Sequence, residues 1–404
     1  MVAGDTTQPD LEEEYASTPS GEPIARWNQN GFTALTRGPD VRFQIRGMAM
    51  MHIAMHDAAN LVRARYAGYA VNPTTDDSGA DPSLAAAAAA HDVLVALRPD
   101  LRSTIDGWLQ TDLARVTIAK MRTRSLQVGA SAAQAIIALR TGDSCCSDPP
   151  FVPGSAPGDY QFTPPFTFVY GSGWGAMRPF SLSSGDQFLP AGPPDLSTAE
   201  WAAEYNEVQA YGSATSTLRT SQQTFAGRFW IDGSAEIYCR MARNLIAERN
   251  TDLWDSARAL ALAFIAGNDA AISVWDAKYE YAFWRPITAI RAGDTDGNDA
   301  TVADPAWSPL ATTPPHPEYS SAHAATCAAA AVALAEVFGD VPVRATSSIV
   351  PGEVSWPSLT ASADECAESR ILVGYYFLSS IEHGLAQGYD VGQWVLDHTG
   401  LDRL

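Results

Sequence analysis

The chain contains 404 residues, of which 46% are hydrophobic and 18% are charged, so it can bury a large core and is not a disordered polypeptide. Its 26 basic and 46 acidic residues give a net charge of -20, which opposes binding to nucleic acid or anionic lipid through overall charge. Any anion site must therefore be a local basic pocket.

The cysteines and the N-terminus show no redox, metal or targeting pattern. The five cysteines are scattered and contain no C-x-x-C pair, so we expect no disulfide framework. The first 14 residues lack the basic start and apolar run of a signal peptide, and the longest apolar runs are too short to span a bilayer. We expect a soluble chain; a cytoplasmic location and secretion after removal of a leader both stay open.

Helical patterns dominate the chain. Residues 1–25, rich in Thr, Pro, Gly and Glu, predict a flexible N-terminal arm, and residues 26–404 predict a single all-α domain. Apolar periodicity, capping residues and helix breakers predict helices over 46–62, Pro82–Leu97, 105–140, 197–211, 222–249 and Leu253–Tyr281. We find no convincing alternating strands and no fixed-period repeat, which makes the predicted fold class all-α.

Between these helices, residues 144–194 change to a texture of Pro, Gly, Ser and aromatic residues. We expect this long loop to be ordered, because its many aromatic side chains need burial. Long ordered loops in compact proteins often serve a function, so we expect it to line the mouth of a pocket.

Three later segments carry residues suited to binding an anion. In the first, Lys278 is one of only two lysines, and Arg285 follows it by seven positions. On one continuous helix the two cations would share a face, about 10 Å apart along the axis, and could converge on one anion. An amphipathic helix whose cations lie over aromatic side chains explains this segment equally well.

The second segment runs from Pro314 to His323 and leads into an apolar, Ala-rich helix. Its prolines cannot lie inside that helix, so we expect Ser320 or Ser321 to cap it, with the backbone N–H groups of its first turn pointing outward. Such a terminus binds anions, and His323 in the first turn adds a general acid or base. Taken alone, a capped helix with an incidental histidine is the simpler interpretation.

The third segment places Arg370 before an apolar helix containing Ile381, Leu385 and Val391. The planar guanidinium group of an arginine suits a tetrahedral oxyanion. Taken alone, a surface ion pair is the simpler interpretation of this arginine.

In this order and spacing, the three segments resemble the vanadium-dependent haloperoxidases and the related acid phosphatases of the type 2 phosphatidic acid phosphatase superfamily. The family pattern is Lys-x6-Arg-Pro, then Pro-Ser-Gly-His, then Ser-Arg-x3-Gly-x-His-x3-Asp. The matching positions are Lys278, Arg285, Pro286, Ser321, His323, Ser369, Arg370 and Gly374, and Ala322 replaces the motif glycine. Similarity to bacterial members extends over nearly the whole chain.

The resemblance implies two four-helix bundles with the site in a bundle core. It also implies a phosphate or vanadate ion, and no haem, flavin or nucleotide, bound by Lys278, Arg285, Ser321, Ala322, His323 and Arg370. We expect the partner to be a small molecule in a pocket formed by Trp275, His316 and Trp230, with no nucleic acid or membrane partner. The sequence does not decide the oligomeric state, and bacterial relatives leave a homodimer open.

One departure affects the expected reaction. The resemblance implies a histidine that ligates vanadate or attacks phosphate six residues after Arg370, but Tyr376 stands there, and Ser380 replaces the expected aspartate. A neutral phenol, with a pKa near 10, offers no imidazole lone pair. We therefore expect a vanadium-independent acid/base reaction, such as a rearrangement or isomerisation in bacterial secondary metabolism, with His323, Lys278 and Tyr376 as catalytic residues.

Two alternatives stay open. The first is a haloperoxidase that oxidises halide with hydrogen peroxide, in which the cations alone or a Tyr376 phenolate hold vanadate and Tyr376 is the metal ligand. The second is a non-catalytic anion-binding relative.

Overall fold

The computed structural model describes residues 18–36, 38, 40–73 and 79–404, and these residues form a helical protein with one small sheet. The helices are α1 (Glu22–Leu35), α2 (Val41–Val62), α3 (Pro82–Leu97), α4 (Arg102–Leu113), α5 (Ala119–Leu139), α6 (Ala199–Tyr211), α7 (Ser221–Phe229), α8 (Ser234–Arg249), α9 (Leu253–Tyr281), α10 (Pro286–Arg291), α11 (Ala322–Phe338), α12 (Leu359–Leu372) and α13 (Leu378–His398). Strands β1 (Val343–Thr346) and β2 (Glu353–Trp356) pair antiparallel.

The long helix α9 lies between two groups of helices. On one side α2, α3 and α5 pack against one another, and α2 also packs against α9. On the other side α11 packs against α9, α12 and α13. This arrangement confirms the expected all-α fold built from helical bundles.

The composition of α9 explains its central position. Asp252 caps the helix by accepting a hydrogen bond from the Asp255 backbone, and the helix ends where Ala282 adopts a left-handed conformation with φ of 42°. By length and composition alone α9 could cross a membrane, but 83% of its most apolar window is buried inside the fold. Its apolar residues therefore face other helices, as expected for the core helix of a bundle.

The loop over residues 144–194 packs onto α9 and is ordered, as expected. The buried Asp269 carboxylate of α9 accepts hydrogen bonds from the backbone of Phe180, Ser181 and Leu182 at 2.6 to 3.0 Å. Nearby, the Trp174 ring lies 3.9 Å from the Trp275 ring, measured between centroids. The loop is thereby fixed beside the segment that carries the candidate site.

Several local expectations were wrong. Helix α1 begins at Glu22, inside the expected arm, and residues 1–17 lie outside the described residues. The predicted helix over 105–140 is broken between α4 and α5, where the β-branched run Val116-Thr117-Ile118 disfavours helix. Thr198, not Ser197, caps α6. The β1–β2 hairpin was missed because each strand has only four residues.

The cysteines also differ from expectation. Disulfides join Cys145 to Cys146 and Cys327 to Cys366, and Cys239 is free and buried. The Cys327–Cys366 bond connects α11 to α12, one helical turn beyond His323 and one turn before Arg370. Scattered spacing in the sequence gave no sign of this pairing, because the two helices meet only in the folded bundle.

Candidate active site

Lys278, near the end of α9, is fully buried and surrounded by backbone oxygens. Its ammonium group donates to the carbonyl oxygens of Pro317 at 3.2 Å, Glu318 at 2.7 Å and Ser320 at 2.5 Å. Burial, followed by the charge of Arg285, lowers the pKa of Lys278 well below its usual value. The three carbonyl oxygens favour the protonated form of Lys278 and so oppose this lowering of its pKa, because an ammonium can donate to all three and a neutral amine to only two.

Arg285 approaches Lys278 from a different element than expected. The helix α9 ends at Tyr281, and Arg285 caps α10, so the predicted shared helical face was wrong. Its guanidinium donates to the carbonyl oxygens of His316 at 2.7 Å and Tyr375 at 3.0 Å, and to the His316 ring at 2.8 Å. All three of its nitrogens therefore have partners within the protein.

His316 faces this guanidinium from the loop before α11. A guanidinium only donates, so the ring nitrogen that faces Arg285 must accept, and the imidazole is neutral. Burial, followed by the charges of Arg285 and Lys278, lowers the pKa of His316 well below its usual value. This histidine fixes the position of Arg285.

Tyr376 lies between these two cations, after α12. Its ring centroid is 4.9 Å from Lys278 Nζ and 4.6 Å from Arg285 Cζ, and its hydroxyl is 3.4 Å from Lys278 Nζ. Cations over an aromatic face are attracted by the ring quadrupole. With 3% of its surface exposed, Tyr376 fills the space between the cations.

Glu318 is a site residue that the sequence analysis missed, although it lies inside the segment singled out there. It is fully buried, and its carboxylate accepts from the Phe377 backbone at 2.8 Å. Burial raises the pKa of Glu318 to about 7, although Arg285 and Lys278 pull in the opposite direction. This carboxyl group partly compensates the buried positive charge around it.

Arg370, at the end of α12, has donors that the protein does not use. Its Nε donates to Ser369 Oγ at 3.0 Å, but its Nη2 is buried without a hydrogen-bond partner. Burial lowers the pKa of Arg370 to about 10, so the side chain is still a cation at neutral pH. A buried, unpaired guanidinium nitrogen is costly unless an acceptor binds there, and this marks a place for an anion.

The start of α11 follows the expected pattern. Ser321 caps the helix through its hydroxyl, which accepts from the Ala324 backbone at 3.4 Å, and its own N–H donates to the Ser380 carbonyl at 2.9 Å. By position, the N–H groups of Ala322 and His323 have no acceptor within the helix. Two backbone donors are thus available in the first turn.

His323, the second residue of α11, has a defined orientation. Its Nε2 lies 3.4 Å from the carbonyl oxygen of Asp232, an atom that can only accept. Nε2 therefore carries the proton, and Nδ1 carries the lone pair of the neutral ring. Burial, followed by the charge of Arg370, lowers the pKa of His323 to about 3. The Asp232 carbonyl as an orienting group was not foreseen.

An apolar cavity opens beside His323. It lies between α8, α9 and α11 and has a volume of about 180 Å³. Trp275 and His323 are among its lining residues. His316 and Trp230 are not among its lining residues. The indole of Trp230 instead packs 5.5 Å from that of Trp356 and donates to Glu365 at 3.1 Å, so it does not line this cavity.

The predicted residues thus form two halves of one site. We call Lys278, Arg285 and Tyr376 the closed half, because the donors of both cations are bound to the protein. We call Ser321, Ala322, His323 and Arg370 the open half, because the backbone N–H groups at the start of α11 and Arg370 Nη2 can still donate hydrogen bonds to a ligand. The halves adjoin, because Ser320, whose carbonyl oxygen accepts from Lys278, directly precedes Ser321, the cap of α11.

The part of the chain that carries these residues is similar to known proteins. Residues 258–401 match the family model of the second helical-bundle domain of vanadium chloroperoxidase. The vanadium chloroperoxidase of Curvularia inaequalis is 31% identical over 194 residues, which is 40% of this chain; the match spans 31% of the length of that relative.

Solved structures extend the similarity to the whole chain. The crystal structure of the first bacterial vanadium-dependent iodoperoxidase superposes with a TM-score of 0.82 at 25% identity, over 96% of this chain and 98% of that one. The holo form of a bacterial vanadium-dependent chloroperoxidase has a TM-score of 0.70 at 17% identity, over 99% of this chain and 100% of that one, which is a likeness of fold. Together with the family-model match, these likenesses show that the chain is similar to vanadium-dependent haloperoxidases over nearly its whole length.

Proposed function

We propose that this protein is an enzyme that binds an oxyanion in the open half of its site and moves a proton with His323, without a nitrogen-to-vanadium bond. Tyr376 is the observation that carries the proposal. In the family that the site resembles, the histidine that anchors vanadate occupies this position. Here a phenol fills the space between Lys278 and Arg285.

An oxyanion as such fits the residues present. The unpartnered Nη2 of Arg370 and the N–H groups at the start of α11 are donors that a phosphate-like ion needs. Vanadate anchored through nitrogen does not fit. The His316 ring is bound to Arg285, the His383 ring lies 2.5 Å from the Tyr319 hydroxyl, and neither replaces an imidazole at Tyr376.

His323 is suited to take up a proton once the oxyanion is bound. Without the oxyanion, the pKa of His323 is about 3, which makes this residue a weak base at neutral pH. An oxyanion on Arg370 offsets that positive charge and stabilises the imidazolium, which raises the pKa of His323 toward neutrality. The lone pair on Nδ1 then accepts a proton from the substrate, while the Asp232 carbonyl holds the ring.

The substrate in this proposal is a small organic molecule bound in the cavity beside His323. The cavity wall is mostly apolar and excludes water from the neighbourhood of the imidazole. A proton removed next to a carbonyl group and returned at another carbon gives an isomerisation, which needs neither oxidant nor metal. This matches the reaction class expected from the sequence.

One assay tests the proposal directly. Metal-depleted protein is incubated with peroxide and either bromide or iodide, with and without vanadate, and halogenation of a dye is followed. We expect no vanadate-dependent turnover above that of the His323→Gln variant. Robust turnover that needs both vanadate and His323 would contradict the proposal and establish a haloperoxidase, the reaction named for the iodoperoxidase of similar fold.

A second assay tests the acid/base step itself. Alkyl aryl ketones are incubated with the protein in D2O and phosphate, and deuterium uptake next to the carbonyl group is measured by NMR. We expect uptake above buffer for the native protein and not for His323→Gln. Uptake equal to buffer for every ketone would count against proton transfer by His323.

A further inference from the structure

The cavity beside His323 is an elongated trough, and this shape defines a ligand class. Along α11 its lining residues are Ala322, His323, Thr326, Ala330 and Leu334. From His323 onward they recur every three or four positions, as expected for one face of a helix, and the whole set spans about 18 Å. The facing stripe of α9 consists of Leu260, Ala263, Phe264, Gly267, Asn268, Ala271 and Trp275.

Small side chains create the trough. Where the two stripes face each other, the middle positions are Ala263, Gly267 and Ala271 on α9 and Ala330 on α11. Larger side chains at these positions would fill the gap between the helices, as they do elsewhere in well-packed cores. The space is therefore narrow and long, and it runs parallel to the helices.

The two ends of the trough differ in polarity. Ser234 Oγ and Thr326 Oγ1 lie 2.8 Å apart and hold the N-terminal ends of α8 and α11 side by side. Glu236 and His323 lie in the first turns of these helices and both line the trough, so they mark its polar end. Leu260 and Leu334 line the opposite, apolar end, and Leu334 lies about three turns along α11 from His323.

The charge of the lining favours a neutral ligand. No lysine or arginine belongs to the lining, and Glu236 is its one acidic residue among the described part of the chain. Gln44 Nε2 donates to Glu236 Oε1 at 2.9 Å and fixes this carboxyl group. With Arg370 occupied by the oxyanion, a ligand carboxylate would meet this acidic group with no cation in the wall, whereas a hydroxyl or carbonyl group can bond to Glu236 or His323.

We infer that the trough binds a neutral molecule with an elongated hydrocarbon chain, whose hydroxyl or carbonyl head lies at Glu236 and His323 and whose tail extends toward Leu260 and Leu334. The inference deepens the proposed function, since it names the substrate class for the same histidine. Binding of the tail, however, does not depend on proton transfer, so the two ideas can fail separately.

A series of 1-alkanols from butanol to decanol measures the length of the trough. The fluorescence of Trp174 and Trp275, which line it, reports binding to the full-length protein. We expect affinity to rise about fourfold per added methylene, the effect of burying one CH₂ group, and to level off when the tail fills the trough. Affinity that does not change with chain length would overturn the inference.

A blocking variant tests the location. Ala330→Leu narrows the trough midway, so we expect affinity to level off at least two carbons earlier, while butanol still binds as in the native protein. The matched control Ala335→Leu makes the same change on α11 outside the lining and should leave the series unchanged. A series for Ala330→Leu equal to that of the native protein would show that alkanols bind elsewhere. Retained butanol binding shows that the variant is folded.

The head group is tested with decanol and decanoate. In phosphate buffer, which occupies Arg370, we expect decanoate to bind at least tenfold more weakly than decanol, and the difference to shrink in Glu236→Gln. Decanoate binding as tightly as decanol would overturn the neutral-head assignment. His323→Gln should still bind the alkanols with the same chain-length dependence, so loss of proton transfer in that variant bears on the proposed function alone.

Discussion

The closed and open halves of the site contain similar residues in different surroundings. Lys278 and Arg285 are buried cations whose donors reach backbone carbonyl oxygens of 316–320 and 375. Arg370 is a buried cation with an Nη2 that reaches nothing in the protein. The difference teaches that a residue that matches a family motif does not by itself show a ligand contact, because the chain segment beside it can satisfy the same donors.

The two halves of the site have different roles. The closed half holds the loop before α11 in place, since Lys278 and Arg285 bind four of its carbonyl oxygens and the His316 ring. The open half then has the start of α11, His323 and Arg370 in fixed positions. We therefore expect substitutions in the closed half to reduce stability, and substitutions in the open half to reduce anion binding.

The largest effect is expected for Lys278→Met. This change keeps most of the side-chain volume but leaves three buried carbonyl oxygens without their donor, and each such loss costs about 1–3 kcal/mol. We expect the free energy of unfolding to fall by about 3 kcal/mol or more in chemical denaturation. The exposed Lys120→Met is the matched control and should change it by less than about 0.5 kcal/mol. Equal effects of the two variants would contradict the structural role of Lys278.

A smaller effect, on binding, is expected for Arg370→Ala. A hydrogen bond to a charged group contributes about 1.5–3 kcal/mol, so phosphate affinity measured by calorimetry should fall roughly 10- to 100-fold. The free energy of unfolding should change much less than in Lys278→Met, because Arg370 Nη2 has no partner to lose. Unchanged phosphate affinity in this variant would remove the basis for calling this half open.

The smallest effect concerns pH. The pKa of His323 is lowered to about 3, so the unfolded chain, with an ordinary histidine, binds the proton first as the pH falls. Stability from this residue is therefore full above about pH 6.5 and decreases below it. Between pH 7 and pH 5 the native protein should lose about 1–2 kcal/mol more than His323→Gln in denaturation experiments.

Phosphate should reduce this pH effect. An oxyanion on Arg370 raises the pKa of His323, so the difference between the native protein and His323→Gln should shrink when phosphate is added. The other buried histidines are present in both proteins and cancel in the comparison. A difference as large in phosphate as without it would contradict the placement of the anion beside His323.

The sequence predicted the helices with strong boundary signals. The bounds of α3 and α9 were predicted to the residue, because Pro82 begins one helix and Asp252 caps the other. The shared face of Lys278 and Arg285 was nevertheless argued from one continuous helix, although Pro286 was a usable signal against it: the residue before a proline avoids the helical region, and Arg285 is extended with ψ of 154°.

The residues of the site were predicted better than their contacts. Local patterns narrowed the cap of α11 to Ser320 or Ser321, and Ser321 is the cap. The resemblance to the haloperoxidases placed Lys278, His323 and Arg370 at one site. The partners of Lys278 lie 39 to 42 residues away in sequence, and the disulfide of Cys327 spans 39 residues. Nothing in the local pattern specifies which carbonyl oxygens or helices meet over such separations, so the distinction between the halves required the fold.

The central claim is that Tyr376 closes the position of the vanadate anchor while Arg370 still binds an oxyanion. A comparison of the dissociation constants for vanadate and phosphate tests this claim most directly. Without a bond to nitrogen the two ions differ little, so we expect the native protein to bind them within about threefold of each other. In Tyr376→His vanadate alone should bind more than tenfold more tightly. Native protein that binds vanadate a hundredfold more tightly than phosphate would contradict the account.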